Sequence, residues 1–255
     1  MSSDGELDSE PNREQNREKI AAASSTRTGF LRDEFGGNAI LLATLVFLLG
    51  FLPFLPGQHS ESVITRITWA AVIIVGIVRA RGRRFFLWAA LIVAVPSLLS
   101  RWVDLFGLAD IGPLFEALFL ALIAAYILTD IFSQRRVQFD HILGGVNIYL
   151  LLGVLFARIH LVIEKYSAGS YMLGDLPLAT AAVHSGQRLE DLLQYFSFTT
   201  LTTLGYGDIR PLSEVARVLS MAEAVIGQLF IAILIAGLIG VYVPGRTRGS
   251  SAPEG

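Results

Sequence analysis

Six long apolar segments limit the folds open to this chain more than any other feature of its sequence. They run over about residues 38–56, 63–80, 84–99, 112–133, 141–163 and 213–243. A helix needs about 20 predominantly apolar residues to cross a bilayer. Hydrophobic residues make up 53% of the chain, charged residues only 16%, and the mean hydropathy is +0.57, which is typical of polytopic membrane proteins. We therefore predict an all-α polytopic membrane protein with six transmembrane helices.

Arginines collect in alternate connections between these segments and in the C-terminal tail. The residues concerned are Arg79, Arg81, Arg83 and Arg84, then Arg135 and Arg136, and finally Arg246 and Arg248. Short cytoplasmic loops are enriched in Lys and Arg. The pattern predicts a multi-pass protein of the cell membrane with both termini in the cytoplasm. Residues 1–36, which are polar and of mixed charge, are predicted to form an N-terminal tail, and residues 244–255 a short C-terminal one.

An irregular stretch, T-T-L-G-Y-G-D at Thr202 to Asp208, separates the fifth and sixth apolar segments. Glycine adopts backbone angles that other residues avoid, so the two glycines flanking Tyr206 allow consecutive carbonyl oxygens to point the same way. Such a row of carbonyls can replace the water around a cation. The alternative is an ordinary glycine turn between two helices. A turn needs only one or two permissive residues, however, and no threonine-rich approach.

The stretch resembles the selectivity filter of the potassium channel superfamily, T-V-G-Y-G, with Leu204 where Val is usual. The resemblance covers about residues 140–243. It includes a short pore helix at about residues 189–201, and Gly227 at the spacing of the gating-hinge glycine in many members. It implies a pore domain at 135–243, with a re-entrant pore helix and filter between helices five and six. A four-helix membrane domain at 37–134 precedes it.

The resemblance also implies a role for each site residue. The potassium ligands are the carbonyls of Thr203, Leu204, Gly205 and Tyr206, with the Thr203 hydroxyl at the inner end. The rest of the filter and its expected supports are Gly207, Asp208, Tyr195, Phe196, Thr199 and Glu223. Glu223 could hydrogen-bond to Thr199 or Ser197. The expected hinge and cavity residues of the inner helix are Gly227, Gln228, Ile231, Ile235 and Ile239.

One chain supplies one strand of the filter, so the resemblance implies a homotetramer in membrane lipid with potassium ions as its ligand. No nucleic acid or small-molecule substrate is expected. The chain has no cysteine and no catalytic constellation, so we predict that it is not an enzyme. The histidines, His59, His141, His160 and His184, show no metal-ligand spacing and are interpreted as incidental. Glu116 lies near the end of its segment and is interpreted as interfacial.

The fourth apolar segment lacks the charge that a voltage sensor needs. Each arginine moved through the membrane field contributes about 2.3 kcal/mol per 100 mV, yet residues 113–132 contain no Lys or Arg. We therefore expect weak voltage dependence or none. The short connection at 133–140 favours packing of the first four helices on the chain's own pore. Two alternatives stay open: a channel of relaxed cation selectivity, which Leu204 makes possible, and a non-conducting sensor that retains a filter.

Overall fold

The computed structural model describes residues 38–51, 63–80, 83–102, 108–133 and 139–242, and these are mostly helical. The predicted tails at 1–36 and 244–255, and His59, lie outside the described residues. The helices in chain order are α1 (Asn38–Gly50), α2 (Val63–Ala80), α3 (Arg84–Trp102), α4 (Leu108–Ser133), α5 (Phe139–Tyr166), α6 (Leu178–Ser185), α7 (Leu189–Leu201) and α8 (Glu214–Tyr242).

Three of these helices contain stretches long and apolar enough to cross a membrane, counting only the residues that the structure describes. They are Ile111–Ile131 in α4, Asp140–Tyr166 in α5 and Glu214–Gly237 in α8. They correspond to the fourth, fifth and sixth predicted spans, and they support a membrane location. The apolar stretches of α1, α2 and α3 have the shorter lengths Asn38–Gly50, Arg66–Val78 and Arg84–Leu99. Spans one to three therefore stay predictions.

Helices α1 to α5 share one apolar core. Its fully buried members include Leu41 and Leu45 of α1, Trp69 and Ile73 of α2, Ala90 of α3, Phe119 and Ile123 of α4, and Leu151 of α5. α4 packs along α5 within the chain; packing of the first four helices on the chain's own pore, and not on a neighbouring subunit's, stays a prediction. The amide of Asn147 in α5 also donates to the Asn38 carbonyl over 2.8 Å, which holds the start of α1 against α5.

A small antiparallel sheet, absent from the all-α prediction, closes the segment between α5 and α8. Its strands are β1 (Tyr171–Leu173), β2 (Leu176–Pro177) and β3 (Ile209–Pro211), in the order β2-β1-β3. A two-residue turn joins β1 to β2, and Gly174 in that turn has φ +58°, a left-handed angle that such hairpin turns require. β1 pairs with β3 directly after the filter stretch, so the sheet ties the two ends of the pore loop together.

The segment between α5 and α8 packs against a second buried cluster beside this sheet. Its members are Leu161, Tyr171, Leu178, Leu193, Phe196, Ile209 and Ala216, and they come from α5, β1, α6, α7, β3 and α8. Helix α7 has the predicted limits, Leu189–Leu201. Helix α6, like the sheet, was not predicted from the sequence. The cluster fixes α7 between α5 and α8, and α7 in turn presents the filter stretch.

Candidate functional site

The backbone of the T-T-L-G-Y-G-D stretch alternates between left-handed and ordinary angles. Thr203, Gly205 and Gly207 have φ values of +58°, +55° and +78°, while Leu204 and Tyr206 between them do not. Within the described ranges, Thr203 is the only residue other than glycine with a positive φ. A left-handed angle at a β-branched residue is unusual, and such strain collects at functional sites. The alternation is the conformation expected for carbonyls that point one way.

The hydrogen bonds of this stretch leave its carbonyls unused. The amide of Gly205 donates back to the Thr199 carbonyl over 3.1 Å, and that of Thr203 donates to Thr200 over 2.9 Å. Among the described residues no donor reaches the carbonyls of Thr203, Leu204, Gly205 or Tyr206, which lie on exposed residues. A row of oxygens whose backbone is held by hydrogen bonds to α7, and which has no partner among the described residues, can serve as a cation-coordinating surface.

Aromatic side chains hold the Asp208 end of the stretch. The Tyr195 hydroxyl donates to Oδ2 of Asp208 over 2.9 Å, which joins α7 to the residue that follows the two glycines. The rings of Tyr195 and Tyr206 stack, with centroids 6.4 Å apart. Partial burial raises the pKa of the Tyr195 phenol, and the hydrogen bond to Asp208 raises it further. Tyr195 therefore stays protonated and keeps its donor at ordinary pH.

Two other predicted supports lie directly behind the stretch. Phe196 is 5% exposed and packs edge-on against both His160 and Tyr171. Thr199 contributes its carbonyl to Gly205, while its hydroxyl donates to the Phe196 carbonyl in its own helix over 2.9 Å. Of the two partners suggested for Glu223, Thr199 is thus excluded by geometry and Ser197 is found.

Glu223 sits in a polar cluster that sequence analysis only partly anticipated. It contacts Ser197 of α7 and lies 2.8 Å from Nε2 of His160 in α5. The other ring nitrogen of His160 lies 2.5 Å from the Tyr171 hydroxyl. His160 is fully buried, so its interpretation as incidental is wrong. A single histidine in an apolar segment offers no spacing signal, so sequence analysis gave no indication of its partner.

The Thr203 end of the stretch meets α8 at two consecutive residues. A Cβ placed on Gly227 would overlap with the carbonyl oxygen of Leu201, so glycine is required there for close packing of α7 on α8. The amide of Gln228 donates to Oγ1 of Thr203 over 3.2 Å. α8 runs without interruption through this point, and the predicted hinge stays a prediction. Ile231 is half-buried, Ile235 is exposed, and the side chain of Ile239 lies outside the described residues.

A buried arginine, missed by sequence analysis, links the first four helices to the pore loop. Arg158 of α5 lies 3.3 Å from Glu116 of α4 and 3.2 Å from Glu190 at the start of α7. Its guanidinium also lies 4.7 Å from the ring centroid of Trp69 in α2. Glu116 is 3% exposed, so it is buried among the helices, while its interpretation as interfacial in depth stays a prediction. Apolar surroundings at position 158 gave no sign that two carboxylates converge on it.

Comparison with known protein families identifies one match. Residues 167–243, which include α6, α7, the T-T-L-G-Y-G-D stretch and all of α8, match a family model described as an ion channel. No curated protein and no solved structure matches the chain. The match covers the segment that holds the free carbonyls, the glycine-dependent packing of Gly227, and Glu223 itself, whereas His160 of the Glu223 cluster lies before it. It points to a channel and not to an enzyme. An ion channel domain is therefore present in the C-terminal part of this membrane chain.

Proposed function

We propose that the chain is one subunit of a homotetrameric, potassium-selective channel that conducts passively across the cell membrane. The observation that carries the proposal is the row of unpartnered carbonyls from Thr203 to Tyr206, set by left-handed angles at Thr203, Gly205 and Gly207. A cation that enters such a row exchanges its hydration shell for backbone oxygens. Potassium is the ion whose channels carry the T-V-G-Y-G sequence that this stretch resembles. Gly207 and Asp208 complete the filter at its outer mouth.

The exposed surface of α8 supports the assembly of several chains around this row. Only 17% of its apolar membrane-length stretch is buried, against 56% for those of α4 and α5. Two residues of the filter itself, Leu204 and Tyr206, are 56% and 68% exposed. One strand of carbonyls cannot surround an ion, whereas four related by a central axis can. Neighbouring subunits would also cover Leu204, Tyr206 and part of α8, and lipid would cover the remaining apolar faces.

The proposed topology follows the arginine distribution. The termini and the arginine-rich connections are placed in the cytoplasm, and the filter opens outward with its Thr203 end toward the cell interior. Residues 37–134 form a four-helix membrane domain, residues 135–243 the pore domain, and 1–36 and 244–255 the cytoplasmic tails. In this arrangement Gln228, Ile231, Ile235 and Ile239 line an inner cavity that is largely apolar, which suits gating by dewetting.

Channel opening is proposed to depend weakly or not at all on voltage. α4 contains no Lys or Arg along its whole length, Leu108–Ser133, so it carries no positive gating charge. Open probability measured in planar bilayers over a range of about ±120 mV tests this, since three to four charges per subunit would make the relation steep. A shallow or flat relation is expected. A steep sigmoid would contradict the proposal.

The filter assignment itself is tested by potassium flux into liposomes that contain the purified protein. Gly205→Ala is expected to abolish the flux, because φ +55° is costly for any residue with a Cβ. Gly169→Ala is the matched control: Gly169 also has a positive φ, +82°, and open space around its Cβ position, but it lies before β1. Retained flux in Gly205→Ala, or equal loss in both variants, would contradict the assignment.

Channels of relaxed selectivity are the second candidate. The side chain of Leu204, which replaces the usual Val, is 56% exposed in the single chain, so the packing behind the filter depends on the neighbouring subunit. Leu204→Val separates the two candidates. If the Leu204 carbonyl alone determines ion selectivity at this position, the change leaves the permeability ratio of potassium to sodium unchanged. If packing behind Leu204 relaxes the filter, the change raises the preference for potassium.

A further inference from the structure

Five polar groups form a continuous chain behind the filter. The Tyr171 hydroxyl lies 2.5 Å from Nδ1 of His160, whose Nε2 lies 2.8 Å from Oε2 of Glu223. Oε1 of Glu223 contacts Oγ of Ser197, and the same Oγ lies 2.7 Å from the Gly153 carbonyl oxygen. All four side chains are 0% exposed. Four contacts therefore have to be satisfied without solvent, and each of them requires one proton.

An ionised Glu223 beside a neutral His160 leaves this chain one proton short. The Tyr171 and Ser197 hydroxyls supply one proton each, and a neutral imidazole supplies one more. With three protons for four contacts, Ser197 faces two acceptors, the carboxylate and the Gly153 carbonyl, and can donate to only one. The other contact would bring two buried oxygens together with no hydrogen between them, which is unfavourable.

An ion pair between a protonated His160 and an ionised Glu223 does not satisfy the chain either. Both ring nitrogens then donate, so the Tyr171 oxygen must accept, and its own proton has no acceptor in the described part of the chain. Ser197 still has one proton for two acceptors. Burial raises the pKa of the Tyr171 phenol well above its ordinary value, and the nearby Glu164 carboxylate raises it further. Tyr171 therefore keeps its proton, and the unsatisfied hydrogen bond cannot be relieved by its ionisation.

A protonated Glu223 satisfies all four contacts. Tyr171 donates to His160, His160 donates through Nε2 to the carbonyl oxygen of the acid, the acid donates to Ser197, and Ser197 donates to the Gly153 carbonyl. Every hydrogen bond then runs in the same direction. We propose that Glu223 is held as a neutral carboxylic acid and that, as the central link of this one-way chain, it positions the pore helix α7.

The charged groups around the chain are engaged elsewhere. Glu164 of α5 accepts the backbone amides of Gly169 and Tyr171 over 3.0 and 3.1 Å, and Arg158 is paired with Glu116 and Glu190. Within the described residues the only ion-pair partner of Glu223 is His160. In the part of the chain that the structure describes, no arginine or lysine therefore compensates a negative charge at position 223, and burial of an uncompensated carboxylate is strongly unfavourable.

The proton on Glu223 has a structural consequence for α7. It leaves the Ser197 hydroxyl free to donate to Gly153, so that α7 is fastened to α5 through Ser197 and to α8 through the acid. An ionised Glu223 would draw the Ser197 proton toward itself and release the Gly153 contact. Thr199, whose carbonyl holds the Gly205 amide, lies two residues beyond Ser197 on α7. The effect on the filter rests on the proposed function, whereas the protonation state does not.

Infrared difference spectroscopy of the purified full-length protein tests the protonation state directly. At about pH 7, where an exposed Glu with its ordinary pKa of about 4.3 is ionised, the wild type is expected to show the carbonyl stretch of a neutral carboxylic acid. The band is expected to shift when glutamate is labelled with carbon-13, and to be lost in Glu223→Gln. The labelling does not depend on whether the variant folds. Absence of a glutamic acid band in the wild type would overturn the proposal.

Amide substitution at two buried glutamates gives a second, independent reading. In Glu223→Gln the new amide can accept a hydrogen bond from His160 and donate one to Ser197. The melting temperature of this variant is therefore expected to stay within about 2 °C of the wild type. Both Glu164 oxygens accept backbone N–H groups, so Glu164→Gln places an NH2 group against one of these donors. A fall in melting temperature of about 3 °C or more is expected for this variant. Equal losses in the two variants would overturn the proposal. Neither measurement requires conduction, so a protein that shows the acid band but carries no potassium would contradict only the proposed function.

Discussion

Gly227 lies so close beneath Leu201 that a Cβ at position 227 would overlap with the Leu201 carbonyl oxygen and lie 3.1 Å from its carbonyl carbon. Leu201 is the last residue of α7, and the filter stretch begins directly after it. The contact therefore fixes where the end of α7, and with it the start of the 202–208 stretch, lies along α8. Because the obstacle is backbone, a larger residue cannot be accommodated by rotation of a side chain.

Gly227→Ala is expected to destabilise the protein by about 1–3 kcal/mol, as overpacking does elsewhere, and to reduce potassium flux because α7 must move away from α8. The thermal unfolding of the purified variant measures the first effect and liposome flux the second. Gly237→Ala is the matched control, since a Cβ there meets nothing within 4 Å in the same helix. A stable Gly227→Ala protein that only fails to open or close would favour the hinge prediction over packing.

Gln228→Leu is expected to change the innermost part of the filter while the fold is kept. The substitution removes the donor that lies 3.2 Å from Oγ1 of Thr203, and Gln228 is exposed, so little packing is lost. The Thr203 hydroxyl becomes free to reorient, and block by barium applied from the cytoplasmic side is expected to change several-fold. Leu229→Ala, at an exposed apolar neighbour, is the control. Unchanged block in Gln228→Leu would show that this hydrogen bond does not shape the site.

Tyr195→Phe is expected to weaken the outer end of the filter. It removes the hydrogen bond to Asp208 but keeps the ring that stacks on Tyr206. A hydrogen bond to a charged group contributes about 1.5–3 kcal/mol, and this one is discounted because Tyr195 is 38% exposed. Single-channel recordings should show more frequent loss of conduction during prolonged opening. Tyr166→Phe, at a tyrosine that is 67% exposed, should behave as the wild type; the same result for Tyr195→Phe would contradict the role given to this bond.

Arg158→Met is expected to lower stability, by up to about 3–5 kcal/mol, since it removes one partner of a buried ion pair and with it the contacts to Glu116 and Glu190. The substitution is expected to affect Glu116 more than Glu190, because the Glu116 side chain is only 4% accessible to solvent, against 24% for Glu190. The double variant Arg158→Met, Glu116→Gln should recover much of the loss. Denaturation of the purified variants gives the comparison. Failure of the second substitution to restore any stability would mean that packing of Arg158 on Trp69, and not charge, is what matters.

Sequence analysis located the elements whose signals are local. The limits of α7 come from the resemblance to the pore helix of potassium channels, and the Gly-Tyr-Gly order identifies two of the three left-handed residues of the stretch, Gly205 and Gly207, but not Thr203. The same reasoning missed the sheet, because strands of two or three residues carry no alternation that can be recognised. It also missed α6, which is only eight residues long.

The contacts that sequence analysis missed are long-range and involve single residues. His160 and Glu223 are 63 positions apart, and nothing in the apolar pattern around either of them indicates that they meet. The sequence around Arg158 does not indicate its partners, because Glu116 and Glu190 reach it only through the packing of α4 and α7 on α5. Gly227 was recognised by its spacing, but its reason, the approach of the Leu201 carbonyl, is a property of tertiary packing. Local patterns thus predicted the backbone conformation at Gly205 and Gly207 better than the contacts that hold the stretch in place.

The central claim is that the carbonyls of Thr203, Leu204, Gly205 and Tyr206 select potassium. The most direct measurement is the reversal potential of single channels in a planar bilayer, with potassium on one side and sodium at equal concentration on the other. The account predicts a large displacement from zero toward the potential at which potassium is at equilibrium, lost in Gly205→Ala. A reversal potential near zero for the wild type, with clear single-channel currents, would contradict it.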